Sequence, residues 1–165
     1  MGNELEHIRQ RLVVEGEKTL KFFESLSDQD WDQQVYTTGS QWHVRQVLAH
    51  FVSAERAYQK YLRDVLRGGP GAPQDMDIDA FNEVETPKLS ENAPAELITM
   101  MQSARNDSLR LVDELSEDDL TLFARHPWFG EKEIGWYLKL LYRHNIMHLK
   151  DVRKALETSS AVTHR

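Results

Sequence analysis

The chain has 165 residues, 40% hydrophobic and 28% charged, with a formal net charge of −7 and no cysteine. This length supports one ordinary domain with its own core. The charge disfavours nucleic acid and anionic membrane surfaces, which both need a basic face. The absence of thiols excludes disulfides, thiolate zinc knuckles and a cysteine nucleophile, and it fits a reducing compartment.

The N-terminal MGNELE lacks the charged and apolar regions of a secretory signal. Gly2 alone does not make a myristoylation site, because Glu6 stands where Ser or Thr is required. No apolar run approaches the roughly 20 residues needed to cross a bilayer. A cytoplasmic location is the expectation.

The first helical period runs from about Glu4 to Leu26, with Leu5, Ile8, Leu12, Leu20 and Phe23 at steps of three and four or their multiples. The second begins near Gln41, with Ser40 as its expected N-cap. It carries Val44, Val47, Phe51, Tyr58, Leu62 and Val65, and stops at Gly68-Gly69-Pro70. Residues 68–92, with GGPGAP and PKLSEN, read as a polar, turn-rich connector long enough to cross a bundle. The third helix starts around Pro94, which a first helical turn tolerates, and shows Leu97, Met101, Ala104, Ser108, Leu111 and Leu115 on one face. The fourth runs from about Glu133 to Thr158, and residues 159–165 are expected to fray. No sustained two-residue alternation signals strands. The expected domain therefore covers residues 1–158.

A weak internal repeat overlies these elements. LSDQDW at 26–31 follows the first helix and LSEDDL at 115–120 follows the third. Trp42 precedes His50 by eight residues, as Trp136 precedes His144. The second and fourth helices are thus counterparts, and His50 and His144 are expected to play related roles.

On the fourth helix the stripe Ile134, Tyr137, Leu141 continues through His144, His148, Val152 and Ala155, so both histidines belong to the inward face. Burying an unpartnered polar side chain costs about 1–3 kcal/mol. Two such imidazoles are either core residues bonded to neighbouring acceptors or ligands of one ion. Asn145 replaces the glutamate of a His-Glu-x-x-His peptidase, which speaks against hydrolysis of that type. His50, in WHVRQVLAHFVSAE, supplies a third imidazole, and three with open positions suit a catalytic-type metal centre.

Other residues carry weaker signals. His43 sits in the first turn of the second helix, His126 in a connector that can approach the site, and His164 in the tail. His7 completes one Glu-x-x-His match, where a di-iron bundle needs two. Glu55 reads as a solvated helix-face acid or a partner for Arg56 or Lys60, with a supporting or general-base role as the alternative. Lys150 and Asp151 read as surface charges. Trp31, Trp42, Trp128 and Trp136 cap the core or, alternatively, wall a pocket.

WHVRQVLAHFVSAE and LYRHNIMHLKDVRKAL resemble the two metal-binding helices of the DinB/YfiT-like superfamily. The resemblance spans nearly the whole chain in helix order and rests on three histidines and a tryptophan. It implies an all-α four-helix bundle, up-down-down-up, with a long crossover between the second and third helices. It implies a divalent metal, commonly zinc or nickel, on His50, His144 and His148, and a homodimer. Relatives include thiol-dependent transferases and isomerases, so a low-molecular-weight thiol and a small-molecule substrate are expected. Without cysteine, any sulfur nucleophile must arrive from outside, and a bound divalent ion deprotonates a coordinating thiol. Arg143 and Arg56 are available to recognise an anionic group. A non-catalytic bundle that sequesters a small molecule is the rival function, and a helical dimerisation module with core histidines is a third. For His50, His144 and His148 to meet, the antiparallel second and fourth helices must be staggered.

Overall fold

The computed structural model describes residues 3–163, so Gly2 and His164 lie outside the described residues. The elements are α1 (Glu4–Glu24), α2 (Val44–Leu66), α3 (Ile78–Ser90), α4 (Pro94–Glu114), β1 (Phe123–His126), β2 (Gly130–Glu133) and α5 (Ile134–Thr158). α1, α2, α4 and α5 form an up-down-down-up four-helix bundle. α4 and α5 each pack against both α1 and α2. The order around the bundle is therefore α1–α4–α2–α5, with α1 set across one diagonal from α2 and α4 across the other from α5.

Local chemistry fixes the helix starts. Asn3 caps α1 by accepting the Glu6 N–H at 2.6 Å, and Glu96 reaches back to the Ala93 N–H ahead of Pro94 at 2.9 Å. α2 starts later than expected, with His43 rather than Ser40 at the N-cap position. Gln41 adopts a left-handed φ of 51°, which closes a turn back to Thr38 and keeps that stretch out of the helix. Before the turn, the Val35 N–H donates to the Trp42 carbonyl at 2.8 Å.

The two repeated segments fold alike. Each forms a 3-10 turn, Asp30–Asp32 and Glu117–Thr121, preceded by a serine paired with an aspartate three residues on. Their last residues, Trp31 and Leu120, are buried in two different apolar clusters of the bundle.

Three expectations are corrected. The crossover contains α3, which packs on α2 and is capped by Asp77 accepting from Asp79 and Ala80 at 3.0 Å. α3 buries only Thr86, so it has no apolar stripe to betray it in sequence. The connector after α4 holds a hairpin pairing Phe123 with Glu133 and His126 with Gly130. Its outer edge is extended by Gly71 at φ +97°, where a Cβ would fall 2.8 Å from the Arg125 nitrogen. Finally, residues 159–163 are not loose. Ser159 ends α5 in a left-handed cap, and Val162 donates to Val35 at 2.7 Å and accepts from Thr37 at 3.0 Å.

Candidate metal centre

His50 lies about two turns into α2, and His144 and His148 occupy consecutive turns of α5. Their Nε2 atoms converge. His144 Nε2 is 2.9 Å from His50 Nε2 and 3.2 Å from His148 Nε2, and one donor atom from each residue lies within 4.8 Å of the others. The stagger needed to bring them together is present, since the chain beyond α5 runs on to pair with Tyr36, ahead of α2. His50 and His148 are buried, whereas His144 is half-buried on the cleft side. The Trp42 ring lies 4.5 Å from the His50 ring and screens it.

The tautomer of His148 follows from its other nitrogen. Nδ1 is 2.6 Å from the Tyr36 hydroxyl, which donates its only proton to Asp151 Oδ2 at 2.9 Å. Nδ1 must therefore carry a proton and donate to the phenol oxygen, leaving the Nε2 lone pair facing the cluster. Burial, reinforced by Asp151, raises the Tyr36 pKa and keeps the phenol protonated. A carboxylate behind a ligating histidine is the usual support of a metal site. Asp151, expected at the surface, is half-buried and belongs to this chain of bonds.

The donor set fits a divalent ion. Imidazole nitrogens about 2.0–2.1 Å from zinc lie about 3.3 Å apart in a tetrahedron, and about 2.9 Å apart on an octahedral face. The two separations between adjacent Nε2 atoms fall in that range. A single proton on His144 Nε2 fully satisfies only one of its two short contacts. An ion accepts all three lone pairs.

The cluster opens into a cleft of about 680 Å³, bounded by Trp42, Ile78, Trp128, Phe129, Arg143 and Met147 among others. A larger cleft of about 860 Å³ lies between α2 and α3, lined by Arg56, Lys60 and Asp64 and by no histidine, so the donor chemistry belongs to the smaller one. Of the two arginines singled out, Arg143 borders the histidine cleft and Arg56 the other. His126 is buried in the histidine cleft with its ring 5.4 Å from that of Tyr58. Its pKa is lowered to about 4 by burial and by the Lys132 charge. His43 and His7 are exposed, away from the cluster.

Glu55 is not a solvated acid, nor does it pair with Arg56 or Lys60. It is buried and held by Arg105 through two bonds of 2.7 and 3.0 Å, and by Ser108 at 2.8 Å. Arg105 also donates to the Leu12 carbonyl at 2.9 Å, across the face of Gly16. Its position one turn after Met101 on the buried face was the available sequence signal. Tyr36 had none, because it lies in an irregular segment. Trp31 stacks on Phe23 in the core, whereas Trp42 and the exposed Trp128 line the cleft.

Fold and site together define a helical bundle built around a three-histidine candidate metal centre. The chain belongs to the DinB superfamily, whose family model matches residues 11–152. No curated protein matches it by sequence. Among solved structures it is similar to YfiT from Bacillus subtilis, reported as a probable metal-dependent hydrolase with an unusual four-helix bundle topology. That match has 17% identity, 97% of this chain and 91% of that one covered, and a TM-score of 0.78. A mycothiol-dependent maleylpyruvate isomerase is similar at 13% identity and a TM-score of 0.75, with 92% of this chain and 63% of that one covered. A DinB-like protein from Bacillus cereus is similar at 18% identity and a TM-score of 0.65, with 93% and 91% covered. At these identities the likeness shows the fold. Among the described residues, no helix is long and apolar enough to cross a membrane.

Proposed function

We propose that the protein is a cytoplasmic, divalent-metal-dependent enzyme acting on a small molecule, with His50, His144 and His148 as ligands. The observation that carries this is the convergence of three Nε2 atoms with His148 held in its ligating tautomer. Zinc or nickel suits three imidazoles. The reaction proposed is thiol-dependent S-transfer, supported by the absence of cysteine and by the likeness to a mycothiol-dependent enzyme. When bound, the ion would lower the pKa of a coordinating thiol and hold its sulfur beside the electrophile.

The chain's own residues bind and orient. Tyr36 and Asp151 fix the His148 ring, Trp42 keeps water from one side of His50, and Arg143 at the cleft edge is placed for an anionic group on the incoming thiol. The exposed Ile146 and Met147, beside Arg143 on α5, make a homodimer with apolar contact near the cleft mouth part of the same proposal.

Elemental analysis of the purified protein, beside the His50→Ala/His144→Ala/His148→Ala variant, is the first test. Near-stoichiometric metal that disappears in the variant is expected. No uptake from zinc or nickel salts would return the histidines to the core. The aromatic cleft favours one rival, stoichiometric capture of an apolar compound without turnover. Protection of the compound with no product over many equivalents would select it.

A further inference from the structure

We infer that Tyr58 and His126 form a second subsite in the histidine cleft, one that takes a neutral carbonyl oxygen of the substrate. This rests on the reading of the cleft as a small-molecule site, and it names the substrate class: a ketone, ester or amide rather than a carboxylate.

The hairpin fixes the state of His126. Its Nδ1 accepts two backbone N–H groups, from Trp128 at 3.0 Å and Phe129 at 3.1 Å. A nitrogen accepting two donors carries no proton, so the single proton of the neutral ring sits on Nε2. Desolvation holds the ring neutral by lowering its pKa. Nε2 lies 3.4 Å from the Tyr58 oxygen, and because a protonated Nε2 cannot accept, it donates to the phenol oxygen. The Tyr58 proton is then directed elsewhere, and among the described residues its hydroxyl makes no hydrogen bond besides the one to His126. Both side chains are almost fully buried, and both line the cleft. A buried hydroxyl seeks an acceptor, and here the cleft is the place for one.

Position relates this donor to the metal centre. Tyr58 follows His50 by eight residues on the same buried face of α2, a rise of about 12 Å. Helical side chains tilt toward the N-terminus, so the ring leans toward His50. A ligand spanning the cleft therefore meets three imidazoles at one end and a polarised O–H at the other.

The surroundings select the acceptor. The rings of Phe129, Trp136 and Tyr137 lie 4.9, 5.7 and 5.3 Å from His126. Tyr137 directs its own hydroxyl away, to the Arg125 carbonyl at 2.7 Å. At the Tyr58 hydroxyl a carboxylate would give up its water for a neutral donor, a loss that the Lys132 charge near His126 offsets only in part, whereas a carbonyl oxygen loses little and gains a hydrogen bond.

The test compares acetophenone, ethylbenzene and benzoate. Binding is followed by calorimetry and by the fluorescence of Trp42 and Trp128, in EDTA-treated and zinc-loaded protein. The expected result is that acetophenone binds about 2- to 12-fold tighter than ethylbenzene, the fold equivalent of one neutral hydrogen bond. Tyr58→Phe, which keeps the ring and its packing, should remove that ratio and leave ethylbenzene unchanged. His126→Asn, which retains an acceptor for the two backbone N–H groups, should reduce the ratio without unfolding the hairpin. An unchanged ratio in Tyr58→Phe, a preference for benzoate, or no binding of either neutral probe would overturn the subsite. Protein that takes up no metal yet keeps the ratio would overturn the metal reading alone. Protein that loads metal but shows no ratio would overturn the subsite alone.

Discussion

Tyr36→Phe tests the metal centre through a residue that is not one of its proposed ligands. The substitution deletes one oxygen and with it two bonds, 2.6 Å to His148 Nδ1 and 2.9 Å to Asp151. Without the phenol, the Nδ1–H of His148 has lost its acceptor, and the tautomer with its proton on Nε2 becomes competitive. Metal binding must then reverse that tautomer and hold an unsupported ring. Such supporting bonds are worth about 10- to 100-fold in affinity, or about 1.4–2.7 kcal/mol. Asp151→Asn keeps a carbonyl acceptor for the phenol and loses only charge, so its effect should be smaller, within about tenfold. Zinc affinity is measured by competition with a chromophoric chelator, with circular dichroism confirming the fold. If Tyr36→Phe binds zinc within twofold of the parent while His148→Ala loses it, the tautomer argument fails even though the ligand set survives.

Other predictions follow from the same geometry. Arg105→Ala leaves Glu55 buried without its cationic partner, with only the Ser108 bond remaining, and should lower stability by about 3–5 kcal/mol in urea unfolding. The Glu55→Leu/Arg105→Met double variant should recover most of that loss, and a deficit equal to the single variant's would refute the reasoning. His126 is depressed from 6.5 to about 4 in the fold, so the unfolded chain takes up its proton first as pH falls. Its contribution is complete above pH 6.5 and is lost down to about pH 4, amounting to about 2–3 kcal/mol after allowing for solvent reaching the cleft. Stability measured against pH should therefore fall less steeply over that window in His126→Asn than in the parent. Gly71→Ala forces a side chain into left-handed backbone against Arg125. It should cost at least about 1–3 kcal/mol and speed amide exchange at Ala72 and Arg125.

Periodicity in the sequence carried the bundle because α1, α2, α4 and α5 each bury one face, and a buried face repeats every three to four residues. The same logic placed His144 and His148 inward and, through the Trp42/Trp136 spacing, paired His50 with His144. It missed α3, which buries almost nothing, and the hairpin, whose four-residue strands are too short to show alternation. It misjudged Glu55 and Asp151 for a different reason. A charged residue next to an apolar stripe looks solvated until its partner is known, and those partners, Arg105 and Tyr36, come from distant segments. The hydrogen-bond state of a histidine is likewise invisible in sequence, since it depends on what faces its second nitrogen.

The diagonal placement of α1 and α2 governs when the site can exist. α1 and α2 emerge first in synthesis, yet neither is the other's main packing partner, and each waits for α4 and α5 to cover its apolar face. His50 and His144 are 94 positions apart, and Tyr36 and His148 are 112 apart. At ~5–20 residues per second, on the order of ten seconds separates the first imidazole from the second. A nascent or truncated chain lacking α5 has no such centre, however well its early helices form. The three-imidazole cluster is thus a property of the finished chain, and it distinguishes fully folded molecules from every shorter intermediate.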